Sequence, residues 1–249
     1  MYIISEKLNS SSKSARAMLE AEDASPLAAF ITSQKKFGAH ACDINTALCS
    51  KSAECMRRAC RMVLDAGMAV WIDSDDASLQ MLMLEELGRE AVINSVTSAP
   101  AYDRVITLAA ECGAKVVAMP RGEASPVDEA MRLIEKLTIS GIDEGNIFLD
   151  IMSGALAAAD CAAQDAIRFL GEIKEKLPKI STVCGITNIS YGLPDRDRLN
   201  AAFLTVLATH GLDAVICDIG KESIRDSIVL ADLLCGRDEL CAEYVTSFK

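Results

Sequence analysis

The sequence predicts an α/β protein, a single (β/α)8 TIM barrel, and three observations lead to this prediction. Short runs rich in Val and Ile alternate with longer stretches of helical periodicity, about eight times along the chain. The length of 249 residues matches that of one such barrel. Polar side chains recur where the apolar runs end, as expected when the carboxyl ends of parallel strands share one face.

The strand-like runs are short and nearly continuous in apolar residues, which is typical of parallel strands buried on both faces. They begin near Tyr2, His40, Ala69, Ala91, Lys115, Asn146, Thr182 and Ala214. Helical periodicity is clear in the stretches 50–67 and 198–211, where Gly67 and Gly211 suit the position just after a helix. Because no Pro-rich or Gly-rich linker interrupts this alternation, we predict one domain over residues 1–249.

A doubly wound open sheet is the main alternative fold, since it also alternates strands with helices. Such a sheet usually carries a glycine-rich nucleotide loop after its first strand. Here the first strand is followed by SEKLNSSSKS, which contains no glycine. Neither GxGxxG nor GxxxxGK[ST] occurs anywhere in the chain. The barrel is therefore favoured.

Composition excludes several partner classes. The formal net charge is −11, from 36 acidic and 25 basic residues, so nucleic acid and anionic membranes are poor partners. No segment approaches the roughly 18 consecutive apolar residues of a membrane helix. The chain enters a strand directly, without the basic and apolar regions of a signal peptide, which predicts a cytoplasmic protein.

The cysteines and histidines predict neither disulfides nor a metal site. Ten cysteines are scattered without a CxxC pair, and Cys42, Cys184 and Cys217 fall in predicted strands, where a free thiol packs as a small apolar group. Only His40 and His210 offer imidazole ligands, and neither has a paired spacing. We therefore expect reduced thiols and no bound metal.

Four polar residues at successive strand ends are the candidate site. Asp73, Asn94 and Asp150 close the third, fourth and sixth predicted strands, and Asn188 follows the seventh. Any one of them alone suits a helix cap or a loop as well. Together they indicate a shared ligand that offers both hydrogen-bond donors and acceptors. The 2-amino-4-oxo edge of a pterin has that arrangement.

The chain contains, in this order, the segments ISEKLN, ACDIN, IDSDD, INSVT, FLD and GITNISYGLPDRDRLNAAFL. These segments and their order resemble those of a known family, the pterin-binding methyltransferases. The likeness is greatest to the methyltetrahydrofolate:corrinoid protein methyltransferases, including the folate-binding domain of cobalamin-dependent methionine synthase. It spans essentially the whole chain. Its most specific part, residues 185–204, resembles the signature G-x-[ST]-N-x-S … R-x-x-x-N.

The resemblance implies a role for each matched position. Asp150 would accept hydrogen bonds from pterin N3–H and the 2-amino group, and Asn94 would hold the other ring nitrogens. Asp73 would lie near the pteridine on the side of N5. Asn188 would swing in when folate binds and form a hydrogen bond with N5, and Gly185 would permit close backbone approach to the ring.

Three further positions complete the expected site. Asp43 and Asn45 would line its floor or order it. Arg196 would either meet the aminobenzoyl-glutamate tail or remain a solvated loop arginine. The substrate implied by the family is tetrahydrofolate or methyltetrahydrofolate.

The implied reaction moves a methyl group between N5 of tetrahydrofolate and the cobalt of a corrinoid. The chain lacks the D-x-H-x-x-G pattern of a cobalamin-binding domain, so we expect the cobalamin on a partner corrinoid protein. A homodimer is expected from the family alone. Asn188 cannot supply a proton at neutral pH, so its expected catalytic role is hydrogen-bond stabilisation of N5. The proton would come from solvent through a network that includes Asp73.

Two other functions stay open. A dihydropteroate synthase shares the fold and the pterin pocket, but the K-x-x-R-like basic pair of that family is absent from the corresponding segment STVCGITNIS. A non-catalytic pterin-binding subunit would keep much of the same site. The sequence leaves the direction of methyl transfer and the original methyl donor open.

Overall fold

The computed structural model describes residues 1–248, which contain a closed barrel of eight parallel strands. The strands follow one another around the barrel in chain order, and the first pairs with the eighth to close it. This confirms the predicted (β/α)8 fold. The strands are β1 Tyr2–Asn9, β2 Ala41–Asn45, β3 Ala69–Asp73, β4 Ala91–Val96, β5 Lys115–Ala118, β6 Ile147–Asp150, β7 Ser181–Gly185 and β8 Ala214–Cys217.

Helices follow each strand and form the outer layer. Two helices follow β1 and two follow β8, while each of the other strands is followed by one. They are α1 Lys13–Glu20, α2 Ser25–Lys36, α3 Ser52–Asp65, α4 Ala77–Leu87, α5 Asp103–Cys112, α6 Pro126–Ile139, α7 Ala162–Lys176, α8 Arg196–Thr209, α9 Glu222–Leu234 and α10 Ala242–Ser247. Within residues 1–248, none of them has the length and apolar character needed to cross a membrane.

Two glycines end helices where the sequence predicted. Gly67 and Gly211 adopt φ angles of +72° and +96° after α3 and α8, in the left-handed region that residues with a Cβ rarely enter. The helix α8 begins at Arg196, two residues before the predicted stretch. This earlier start places Arg196 on the first turn, next to the segment that follows β7.

The lower half of the barrel, nearest the amino ends of the strands, is filled by apolar side chains. Trp71 is the single tryptophan of the chain, is fully buried, and packs with its ring centroid 5.0 Å from that of Phe148. It shares this inner cluster with Ile4, Ala41, Val92, Val117, Val183 and Ala214. Because side chains alternate between the two faces of a strand, the next inward position on each strand lies one layer nearer the carboxyl ends.

Two shifts in strand register alter this alternation near the carboxyl ends. Between Ser5 and Leu8, β1 advances three residues while β2 advances two, from Cys42 to Ile44. A similar shift separates Asn94 and Val96 on β4. An extra residue in one strand re-aims the side chains beside it.

All ten cysteines carry free thiols. Cys42, Cys184 and Cys217 are buried in β2, β7 and β8, as predicted. Burial raises the pKa of the Cys184 thiol to about 12, so this side chain is neutral and acts as part of the core.

Candidate functional site

A polar cavity of about 380 Å³ lies at the carboxyl ends of the strands. Each of the eight strands, or the position just after it, contributes at least one lining residue: Glu6, Asp43, Asp73, Asn94, Met119, Asp150, Gly185 and Ile216. The others are Lys7, Asn9, Ser11, Ser12, Thr187 and Asn188. The cavity therefore lies where a barrel of this kind carries its active site.

Strand periodicity explains why the polar layer is so regular. On β3, Trp71 fills the barrel interior, and Asp73, two residues later, faces the cavity. Phe148 and Asp150 repeat this relation on β6, and Val92 and Asn94 repeat it on β4. On these three strands the polar residue of the cavity lies directly above an apolar side chain of the same strand. The apolar side chain therefore determines how far along the barrel axis the polar residue lies.

Six of the eight residues named from the sequence line this cavity, and two do not. The six are Asp43, Asp73, Asn94, Asp150, Gly185 and Asn188. Asn45 and Arg196 lie outside the lining, and each instead makes a hydrogen bond to a residue or segment that does line it.

Two amide groups fix two of the cavity carboxyls. Asn94 Nδ2 donates to Asp43 Oδ1 at 3.0 Å. Asn45 Nδ2 donates to Asp73 Oδ2 at 3.1 Å. Each bond joins neighbouring or next-neighbouring strands at the barrel rim, so the carboxyls are held in place before any ligand arrives. Asn45 thus orders the site without lining it.

The segment after β7 is fixed from two sides. Arg196 donates from Nε to Ser190 Oγ at 3.0 Å and from Nη2 to the carbonyl oxygen of Thr187 at 2.8 Å. On the other side, Thr187 Oγ1 donates to Glu6 Oε2 at 2.9 Å. Arg196 makes these contacts within the protein because α8 starts close to this turn, and its expected contact with a substrate tail stays a prediction. Asn188 is left exposed at the cavity wall.

Gly185 keeps one wall of the cavity open. A Cβ built on Gly185 would meet Asn188 Nδ2 at 3.8 Å, which is ordinary van der Waals contact. The fold therefore does not require glycine at this position. Its lack of a side chain leaves backbone surface exposed to the cavity instead.

Burial raises the pKa values of the cavity carboxyls. The pKa of Asp150 rises to about 6, since the backbone N–H of Met152 and the charge of Arg121 only partly offset the loss of solvation. Burial and the neighbouring charge of Asp73 raise the pKa of Asp43 well above its ordinary value. Burial raises the pKa of Asp73 as well, and the hydrogen bond from Asn45 partly offsets this by lowering it.

Glu6 is the fourth carboxyl that lines the cavity. Burial raises its pKa, and the hydrogen bond from Thr187 acts in the opposite direction. Four carboxyls with raised pKa values in one cavity keep their protons to higher pH than exposed carboxyls do, and they can exchange protons with a ligand. They also present several acceptor atoms to a ligand rich in N–H groups. Within residues 1–248, no group of three or more His, Cys, Asp or Glu side chains is arranged to hold a metal ion.

Sequence analysis assigned no role to the cavity residues that β1 contributes, which are Glu6, Lys7 and Asn9. Glu6 follows the apolar Ile4 by two positions, so strand periodicity alone predicts that it faces the cavity. Lys7 would then face away from the interior. The register shift in β1 explains why both Glu6 and Lys7 line the cavity, and no sequence signal marks that shift.

Comparison with known proteins identifies the family. The sequence model of the family described as pterin binding enzymes matches residues 6–218. Methionine synthase of Mycobacterium tuberculosis is 29% identical over 244 residues, which are 89% of this chain and 20% of that protein. Methionine synthase of Mycobacterium leprae is 30% identical over 247 residues, again 89% of this chain and 20% of that protein. This chain thus spans about a fifth of the length of these two relatives.

A relative of similar length is the methylcorrinoid:tetrahydrofolate methyltransferase of Eubacterium limosum. It is 24% identical over 270 residues, which cover 100% of this chain and 96% of that protein. The solved structure of Rv1207 from Mycobacterium tuberculosis shares the fold, with a TM-score of 0.67 and 11% identity over 95% of this chain and 91% of that one. The family match covers most of the chain and includes every strand from β2 to β8, so the protein belongs to the family of pterin binding enzymes.

Proposed function

We propose that the protein transfers a methyl group between the cobalt of a corrinoid, carried by a partner protein, and N5 of tetrahydrofolate. The observation that carries this proposal is the meeting of Asp73, Asn94, Asp150 and Asn188 in one cavity at the barrel mouth. The name of the Eubacterium limosum relative supports the choice of reaction. Residues 1–249 act as one pterin-binding domain in this proposal. A homodimer and a cytoplasmic location stay predictions.

The donor and acceptor pattern of the cavity fits a reduced pterin. Asp150 Oδ1 already accepts from Met152 N at 2.9 Å, and the remaining lone pairs of the carboxylate suit pterin N3–H and the 2-amino group. Asn94 Nδ2 donates to Asp43, which leaves Asn94 Oδ1 to accept from a ring N–H. Binding therefore needs Asp150 ionised, and a protonated carboxyl loses part of its acceptor capacity.

Methyl transfer requires a proton change at N5. When the methyl group leaves N5, the electron pair of the broken bond stays on nitrogen and takes up a proton; in the reverse direction N5 attacks the methyl carbon and loses a proton. The corrinoid cobalt supplies the group that accepts or donates the methyl. Asn188, exposed at the cavity wall, stabilises N5 by a hydrogen bond. Asp73, whose pKa is raised by burial, takes part in the proton network.

The test combines a binding and a turnover measurement. Purified protein is mixed anaerobically with tetrahydrofolate and methylcob(III)alamin, and the absorbance of cob(I)alamin is followed. The expected result is cob(I)alamin formation that Asn188→Ala suppresses. The matched control is Asn146→Ala. Asn146 directly precedes β6, at the end of the barrel opposite the cavity, so this variant is expected to retain the wild-type rate.

The other outcomes each reject this proposal in a different way. Tetrahydrofolate binding without cob(I)alamin formation indicates a non-catalytic binding subunit. Condensation of a pterin pyrophosphate with aminobenzoate, in the absence of methyl transfer, indicates a dihydropteroate synthase. If the protein has no affinity for tetrahydrofolate, it does not act on folates and the proposed function is wrong.

A further inference from the structure

One part of the cavity has no role in the function proposed above. The residues assigned to the pterin ring lie on β3, β4 and β6 and after β7. Lys7, Asn9, Ser11 and Ser12 line the cavity from β1 and the segment that follows it. They form a continuous polar surface, which we call the β1 rim.

The closed barrel determines which way a bound folate points. In a ring of eight strands in chain order, β2 lies opposite β6, with β1 and β3 on either side of it. A pterin whose N3 and 2-amino group meet Asp150 on β6 extends across the barrel toward that opposite side. The aminobenzoyl-glutamate tail is attached at C6, at the far end of the ring from the 2-amino group. The tail therefore leaves the cavity near the β1 rim.

Charge favours the same direction. The cavity is lined by the four carboxyls of Glu6, Asp43, Asp73 and Asp150, which repel an anionic tail. Among the described residues that line the cavity, Lys7 is the one lysine or arginine.

The ammonium of Lys7 is held at the cavity edge. Lys7 Nζ lies 3.3 Å from Asp218 Oδ2, and the lysine side chain is 46% exposed. One of its three N–H groups faces Asp218, which leaves two for a ligand. Asp218 thus positions the ammonium without saturating its donors.

The two arginines near the cavity are less suited to the tail. Arg196 already donates to Thr187 and Ser190. Arg121 follows β5, which lies opposite β1 in the barrel, and its charge lowers the pKa of Asp150 on β6. Neither arginine belongs to the cavity lining.

The β1 rim also borders an apolar side chain. Leu48, in the segment between β2 and α3, is 57% exposed. Its backbone N–H donates to Ser10 Oγ at 3.0 Å, which ties this segment to the one after β1. An aromatic ring leaving the cavity at this place can pack on Leu48 while its polar substituents meet serine hydroxyls.

We propose that the β1 rim binds the aminobenzoyl-glutamate tail of the folate, with Lys7 pairing a glutamyl carboxylate and Ser11 and Ser12 donating hydrogen bonds to the tail. Leu48 contacts the aminobenzoyl ring. This inference rests on the proposed function, because it takes tetrahydrofolate as the ligand. It assigns tail recognition to β1 and leaves Arg196 the task of holding the turn that carries Asn188.

The experiment compares two ligands that differ only in the substituent at C6. Anaerobic isothermal titration calorimetry measures the Kd of tetrahydrofolate and of 6-methyltetrahydropterin, which has no tail. The variants are Lys7→Met, Lys7→Arg, Arg196→Met and the control Lys13→Met, which removes an exposed lysine outside the cavity lining.

Lys7→Met is expected to weaken tetrahydrofolate binding about fivefold, as is typical of a partly exposed ion pair, and to leave 6-methyltetrahydropterin binding unchanged. Lys7→Arg keeps the charge and stays within about twofold of the wild type for both ligands. Lys13→Met changes neither Kd. Arg196→Met acts on both ligands alike, because it loosens the turn next to the pterin ring.

Three results overturn the assignment: equal losses for both ligands in Lys7→Met, no loss for either, or a loss confined to tetrahydrofolate in Arg196→Met. The wild-type protein separates this inference from the proposed function. If it binds 6-methyltetrahydropterin, pterin recognition stands whatever the Lys7 variants do. If it binds neither ligand, the proposed function fails and the tail site fails with it.

Discussion

Replacing Asp150 with asparagine removes a buried carboxyl whose charged form the fold disfavours. The pKa of Asp150 is about 6, against 3.8 for an unburied aspartate. At 1.36 kcal/mol per pH unit, ionising this group is about 3 kcal/mol less favourable in the folded protein than in the unfolded chain, so at pH 8 it destabilises the fold by about that amount. The asparagine retains an oxygen that can accept from Met152 N, so the local bond at 2.9 Å is preserved. We therefore expect Asp150→Asn to be more stable than the wild type.

The sign of the pH dependence follows from the direction of the pKa shift. A raised pKa in the fold means that the wild-type carboxyl is best tolerated when it is protonated. The advantage of Asp150→Asn is about 3 kcal/mol at pH 8, falls to about half of that at pH 5, and vanishes below about pH 3. Urea unfolding followed by far-UV circular dichroism at the two higher pH values measures this difference. In a chain of this size it corresponds to a rise in Tm of about 6–12 °C at pH 8.

The same change removes an acceptor from the proposed pterin site. An asparagine amide cannot accept from both N3–H and the 2-amino group, so tetrahydrofolate affinity should fall about 10- to 100-fold. Asp143→Asn, an exposed carboxyl just before β6, is the control and should alter stability by less than about 0.5 kcal/mol. A variant that is less stable than the wild type at pH 8, or a gain that does not vary with pH, would refute the reasoning.

Three further substitutions test the wall formed after β7. Asn188→Ala should slow single-turnover methyl transfer about tenfold or more while the Tm stays unchanged, because this side chain is exposed. Gly185→Ala should keep its urea midpoint, since the new Cβ meets Asn188 Nδ2 at 3.8 Å, but should weaken pterin binding measured by calorimetry. In Arg196→Lys an ammonium replaces the guanidinium that donates to both Thr187 and Ser190. Because the ammonium cannot keep both bonds in the same geometry, amide hydrogen exchange in residues 186–190 should become faster.

The strands and the height of the polar layer could be predicted from the sequence because both depend on local periodicity. Trp71 and Asp73 show why: a two-residue alternation places one in the barrel and the other at its mouth. The predicted strand starts differ from the observed ones by at most one residue. The end of β4 was predicted less accurately. Asn94 was expected to close this strand, but β4 continues two residues further, to Val96.

The contacts between the cavity side chains could not be predicted, because they depend on how neighbouring strands are staggered. The bond from Asn45 to Asp73 joins residues 28 positions apart, and nothing local distinguishes it from a bond to Asp43. Arg196 is a similar case. Whether its guanidinium faces a ligand or the preceding turn depends on where α8 starts, and helix starts are poorly marked in sequence.

The position of Trp71 has a practical consequence. This single indole packs in the apolar lower half of the barrel, one layer beneath the carboxyls, so its fluorescence reports whether the barrel is closed. A ligand at the mouth does not touch it. Two signals can therefore be recorded on one sample. The emission of Trp71 reports whether the barrel is folded, and the absorbance of a bound pterin reports whether the cavity is occupied.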